Sequence, residues 1–184
     1  MRQCQGPDQD VYRAVSIRYF KTAFSPKGAR LRAGRFNRTG TATLYVSLEA
    51  ETALSEYHRG DPPRPCVLVA ARLSVKHLVD LRQGTSDWTV HWQRWENDWQ
   101  EARDRVLAGH SSADCESWQC GDDAIARNFA GIIYPSRLRS GGSNLAVFLE
   151  DAPTGTVSLT PIDPLEEIPA AFPPKPSRRL ANVR

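Results

Sequence analysis

Apolar and polar positions alternate with a period of two over VYRAVSI, residues 11–17, and predict a first strand. ATLYVS, residues 42–47, repeats the alternation between turn residues and predicts a second. The period then lengthens: EAETALSEYHR places Leu48, Thr52 and Glu56 at i, i+4 and i+8, which fits a short helix ended by DPPRP, residues 61–65. CVLVAARLSV, residues 66–75, is a continuous apolar run and reads as a central, buried strand. From an Asp87 N-cap to Gly109 the pattern predicts one long helix, and GDDAIARNFAG a further one, with Asp122 and Asp123 in its first turn. That helix closes at Gly131 and runs into IIYPS. NLAVFLE, residues 144–150, and TVSLTPI, residues 156–162, complete the strands. Between Lys21 and Gly40 the chain is rich in Gly, Ser, Pro and Arg and predicts irregular structure, apart from a short strand near Ala29 to Leu31.

Strands and helices are interspersed without regular βαβ alternation, so the fold class is α+β with largely antiparallel sheet. The 184 residues suit a single domain over 1–163, followed by a proline-rich basic tail over 164–184. A chain of this length buries about 70% of its unfolded surface, enough for a core without disulfides or metal. Cys4, Cys66, Cys115 and Cys120 form no CxxC pair and have no histidine at ligand spacing, which argues against zinc. The net charge of +3 is mild and mixed in sign, so neither nucleic acid nor membrane is called for as a partner. The N-terminal MRQCQGPDQDVYR has no apolar run, and a cytoplasmic location is expected. No GxGxxG or GxxxxGK[ST] is present, against Rossmann and P-loop nucleotide sites.

Two segments gather side chains suited to small-molecule chemistry. In GRFNRTG, residues 34–40, Arg35 offers a planar fork of donors for phosphate, with glycines nearby that let backbone approach a ligand. Tyr45 and Ser47 share the face of their strand opposite Leu44 and Val46, and Glu56 follows on the next helix, where Ala53 and Leu54 anchor the core. In YPSRLRSGGSNLAVF, residues 134–148, Ser136 sits where a strand opens into a Gly-rich loop, and Asn144 lies at the start of the next strand, both places where ligands are held. Taken singly, each of these residues also fits an ordinary loop, packing or surface position.

In order and spacing, VYR, GRFNRTG, LYVS, ETALSE and GIIYPSRLRSGGSNLAVF together resemble the RES domain family, the toxins of RES–Xre toxin–antitoxin pairs. The resemblance runs from about Val11 to Phe148; Phe36 stands where the family more often has tryptophan, and residues 88–119 carry no strong family motif. It implies an ADP-ribosyltransferase-like fold, two small, largely antiparallel sheets flanked by helices, with NAD⁺ as substrate in the cleft between them and no metal. It implies catalytic roles for Glu56, Arg35 and Tyr45, and NAD⁺ contacts from Arg13, Arg35, Tyr45 and Ser136, to which the strand-end reading adds Asn144. The activity implied is a toxin that cleaves the nicotinamide–ribose bond by hydrolysis or phosphorolysis, held in check by an Xre-type antitoxin. The alternative is transfer of ADP-ribose to a protein target.

A rival from another class is a non-catalytic interaction module that works through its tryptophans and basic tail. Trp88, Trp92, Trp95 and Trp99 fall at i, i+4, i+7 and i+11, one stripe of a helix, and such a stripe is usually core. His58 and His77 have no triad partners in sequence.

Overall fold

The computed structural model describes residues 3–4, 6–59, 63–85, 88–97, 99–110, 114–163 and 165–166. The proposed Asp87 N-cap, Asp61 and Pro62 of the helix stop, and the tail from Pro164 apart from Leu165 and Glu166 lie outside the described residues.

Among the described residues, eight strands occur in chain order: β1 (Gln3–Cys4), β2 (Asp8–Val15), β3 (Thr43–Ser47), β4 (Val67–Val75), β5 (Leu78–Asp80), β6 (Gly131–Pro135), β7 (Ser143–Phe148) and β8 (Val157–Pro161). The α-helices among the described residues are α1 (Lys27–Leu31), α2 (Ala50–His58), α3 (Val90–Gln93), α4 (Trp99–Leu107) and α5 (Glu116–Ala126). The class is α+β, as expected. The strands form one mixed sheet in the order β1-β5-β6-β7-β3-β2-β4-β8, in which only the β5–β6 pair is parallel.

One sheet replaces the two expected. The link between its halves is a single residue pair, Tyr12 with Ser47, whereas β2 pairs with β4 over eight residues and β3 with β7 over five. Residues around that pair, Tyr12 to Ala14 of β2 and Tyr45 to Ser47 of β3, line the cleft described below.

Alternation along the central strands sorts the core by face. Leu44, Val46, Ile133, Leu145 and Val147 point into one apolar cluster with Val11, Val69, Leu73 and Phe24. Their neighbours Ile132, Tyr134, Ala146 and Phe148 point into a second, closed by Phe36, Trp92, Trp95 and Cys120.

Several expectations are corrected. The Ala29–Leu31 strand is part of helix α1. β4 is second from the sheet edge, and its burial alternates because only one of its faces meets the core. The long helix is two short ones, α3 and α4. Arg94 to Asn97 form a turn between them, and Trp95 in that turn stacks on Phe36 and meets the edge of Tyr134, with centroids 5.8 and 5.9 Å away. Packing of one large aromatic thus overrides helical propensity. The tryptophans are core all the same: Trp92 and Trp95 in the second cluster, with Trp88 packed partly buried against it, and Trp99 beside Trp118 in a third. Helix α5 begins at Glu116, so Asp122 and Asp123 lie in its second half. Asp123 there accepts the Trp92 indole N–H at 2.8 Å and pairs with Arg127, contacts that hold its carboxyl below the usual range despite burial. β1 and β5 are too short to show a period in sequence.

Candidate functional site

The cleft has a volume of about 690 Å³, within the range of small-molecule sites. Its floor is a lateral row across four strands. Tyr12 pairs with Ser47, Ser47 with Asn144 and Asn144 with Tyr134, so all four side chains share one face, and all four line the cleft.

Glu56 enters from α2. The helix starts directly after β3, and Glu49 at its N-cap accepts the Ser143 N–H at 3.0 Å and the Thr52 hydroxyl at 2.7 Å, which ties its first turn to β7. Thr52 and Ala53 are its buried anchors; Leu54, expected with Ala53, is half-buried. Gly142 allows this approach, since a Cβ there would lie 2.4 Å from the Thr52 hydroxyl. One turn on from Thr52, the Glu56 Oε1 accepts hydrogen bonds from the Ser136 hydroxyl at 2.9 Å and the Asn144 side-chain amide at 2.6 Å. Ser136 in turn accepts the Leu138 and Arg139 N–H groups. Its hydroxyl acts on Glu56 from behind, while Asn144 also forms cleft wall.

The Arg35 loop is braced. The Tyr45 hydroxyl accepts the Phe36 N–H at 2.9 Å and donates to Asn37 Oδ1 at 2.8 Å. The Trp118 indole donates to the Gly34 carbonyl at 2.7 Å, and Arg38 pairs with Asp114 and Asp122 of the α5 region. Gly34 is therefore required by the protein's own packing: a Cβ would meet Asn37 Oδ1 at 2.6 Å and the Tyr45 hydroxyl at 2.7 Å. Gly40, with φ of 101°, turns the loop into β3. The expectation that these glycines serve ligand approach gives way to this closer reading.

Tyr45→Phe tests the brace. It leaves the part-buried Phe36 N–H without its acceptor, a loss worth about 1–3 kcal/mol in unfolding free energy. Urea denaturation of both chains measures it, and equal midpoints would show that the hydroxyl braces nothing.

From this loop the Arg35 guanidinium projects into the cleft over the Trp95 ring, 5.6 Å from its centroid. Its Nη1 is buried with no hydrogen-bond partner among the described residues. Arg13, on β2, donates to the Ala23 carbonyl at 2.6 Å, and burial pushes its guanidinium down to about 10, so it stays charged at neutral pH. Arg59, Arg64 and Arg137 line the outer cleft. Arg59 holds a left-handed backbone (φ 51°) that caps α2, Arg64 lies over the Tyr57 ring, and Arg137 donates to the Glu96 carbonyl. Five arginines thus line the cleft together with Glu56, the one carboxylate among the described residues lining it. Burial pushes the Tyr45 and Tyr134 phenols well above the usual range, against the pull of Arg35, so both are neutral donors.

The structure therefore brings together Arg13, Arg35, Tyr45, Glu56 and Asn144 on one cleft, with Ser136 joined to it through Glu56. Sequence reasoning left out Ser47, Tyr134, Arg59 and Arg64 as site residues. For Ser47 the signal was present, since it shares the Tyr45 face of its strand. No group of three or more His, Cys, Asp and Glu side chains among the described residues is placed to hold a metal ion. No helix among them is long and apolar enough to cross a membrane.

Comparison with known proteins follows the same line. No curated relative matches the chain. Among solved structures, a chain of the M. tuberculosis MbcT–MbcA toxin–antitoxin complex superimposes with a TM-score of 0.53 at 18% identity, over 85% of this chain and 84% of that one. This shows a shared fold. A family model described as RES domain matches residues 10–170, a span that contains the Arg35 loop, Glu56, Ser136 and Asn144, and the chain belongs to the RES domain family.

Proposed function

We propose that this protein is the toxin of a toxin–antitoxin pair, with an ADP-ribosyltransferase-like site that consumes NAD⁺ by breaking its nicotinamide–ribose bond. The observation that carries this reading is a single carboxylate, Glu56, fixed by two donors inside a cleft of five arginines and four tyrosines. A diphosphate carries two negative charges and suits guanidinium forks, of which Arg35, with its buried unpartnered Nη1, is the readiest. The aromatic walls suit nicotinamide and adenine rings.

As the bond between the ribose carbon and the nicotinamide nitrogen breaks, its electron pair leaves with nicotinamide and positive charge builds on the ribose. A carboxylate beside the ribose stabilises that state, and terms of this kind are worth about 3–4 kcal/mol. Water or phosphate then bonds to the ribose carbon; water releases a proton in doing so. Phosphorolysis and hydrolysis differ only in that acceptor.

The test is NAD⁺ loss by the purified chain with and without inorganic phosphate, with products separated by mass. Loss in both conditions means hydrolysis; loss that needs phosphate means phosphorolysis. A mass increase on an added protein would turn the reading to protein ADP-ribosylation. No NAD⁺ loss in any condition would end it. The interaction-module reading loses its main surface, because Trp92, Trp95 and Trp99 are buried in the core.

The solved neighbour is a toxin–antitoxin complex, and an antitoxin partner of Xre type belongs to this reading. An acidic or carboxylate-bearing antitoxin segment suits the arginine-lined mouth. The antitoxin then competes with NAD⁺, which titration of NAD⁺ into the free toxin and into the pair measures directly; equal affinity in both would exclude occlusion.

A further inference from the structure

We propose that Ser47 is a positioning residue for Glu56, acting through Asn144. The inference rests on the NAD⁺-cleavage reading for its catalytic consequence, and on geometry alone for the relay itself. The Ser47 hydroxyl donates to Asn144 Oδ1 at 2.7 Å, and Asn144 Nδ2 donates to Glu56 Oε1 at 2.6 Å. Ser47 and Asn144 are 4% exposed each, and they are direct cross-strand partners in β3 and β7.

The direction of the relay follows from charge. A side-chain amide has an oxygen that accepts and a nitrogen that donates, and a half-turn exchanges them. With the oxygen toward Glu56, two acceptors would meet at hydrogen-bond distance, which repels. With the nitrogen toward Glu56, the buried amide oxygen needs a donor of its own, and the Ser47 hydroxyl supplies it. Ser47 therefore makes the productive orientation of Asn144 the satisfied one.

The second arm has the same logic. Ser136 accepts two backbone N–H groups, so its one proton goes to Glu56. Both arms end on the same carboxylate oxygen, Oε1. This fixes the plane of the carboxylate and turns the other oxygen over to the substrate. Ser47 also sits at the one residue pair joining the two halves of the sheet and lines the cleft itself.

Three measurements on the 184-residue chain decide it. Ser47→Ala is expected to lower kcat for NAD⁺ by about tenfold with KM within about twofold, and Ser47→Thr to restore most of it by returning the hydroxyl. In a Glu56→Gln background, Ser47→Ala is expected to change kcat by less than about twofold, because the relay then has no charge to orient. Loss of the same size in both backgrounds, or no loss in either, would overturn the proposal. The third measurement needs no substrate: the Asn144 side-chain amide is followed by nitrogen–proton NMR. In the parent its two protons should be well separated and slow to exchange; in Ser47→Ala they should converge and exchange faster. An unchanged Asn144 signal would refute the relay. If the parent consumes no NAD⁺ while the NMR result holds, the relay stands and the NAD⁺ reading fails.

Discussion

Glu56→Gln is expected to lower NAD⁺ turnover by about two orders of magnitude or more, with KM close to that of the parent. The substitution is unusually clean here. Both protein hydrogen bonds to Glu56 end on Oε1, and a glutamine oxygen in the same place accepts both from Ser136 and Asn144. The network and the helix are kept; what disappears is the negative charge. On the proposed reading, ground-state NAD⁺ would gain little from that charge, because the arginines and aromatic walls would supply most of its contacts. The oxocarbenium-like state gains much more. Steady-state kinetics on both chains, with thermal melts to show equal folding, make the measurement. Turnover within a few-fold of the parent would mean that Glu56 is a structural acceptor for Ser136 and Asn144 and nothing more.

How far the sequence carried this site depends on the range of each interaction. Period-two alternation placed Tyr45 and Ser47 on one face of β3 and the 3.6 period placed Glu56 one turn beyond Thr52, because both patterns are set by neighbours in the chain. The short connection from β3 to α2 then made a Tyr45–Glu56 cleft readable. The row Tyr12, Ser47, Asn144 and Tyr134 was not readable as a row, because it depends on the register of four strands spread over more than a hundred residues. Local pattern also misled where tertiary packing won. Residues 88–109 have a helical stripe, yet Trp95 leaves the helix to fill the space beside Phe36 and Tyr134. Asp122 and Asp123 look like a helix start, yet α5 has already run from Glu116, and they serve Arg38, Trp92 and Arg127 instead. GRFNRTG looked pliable, yet the room at Gly34 is filled by Tyr45 and Asn37. The resemblance singled out Arg13, Arg35, Tyr45, Glu56 and Ser136 as candidates, the strand-end reading added Asn144, and the structure adds how each is held.

Arg35 gives the second large effect, and it separates function from stability. In the free protein its Nη1 is buried without a partner among the described residues, an arrangement that costs about 1–3 kcal/mol. Its position over the Trp95 ring offsets part of that, about 0.5–2 kcal/mol. Arg35→Met keeps the long stem on the tryptophan, removes the unpartnered nitrogen and gives up the cation–π attraction. The two changes nearly cancel, so the melting temperature should fall by no more than about 2 °C. NAD⁺ binding should weaken far more. A guanidinium that meets its acceptors only when a phosphate arrives contributes about 2 kcal/mol or more, which is about a 30-fold loss in affinity for the methionine variant. Arg35→Lys should recover little of it, since an ammonium on a shorter reach cannot give two parallel hydrogen bonds. Calorimetric titration of NAD⁺ into the three chains, beside their melts, distinguishes the cases. If Arg35→Met melts well below the parent yet binds NAD⁺ as tightly, Arg35 is a packing residue and the phosphates are held by the outer arginines, Arg59, Arg64 and Arg137.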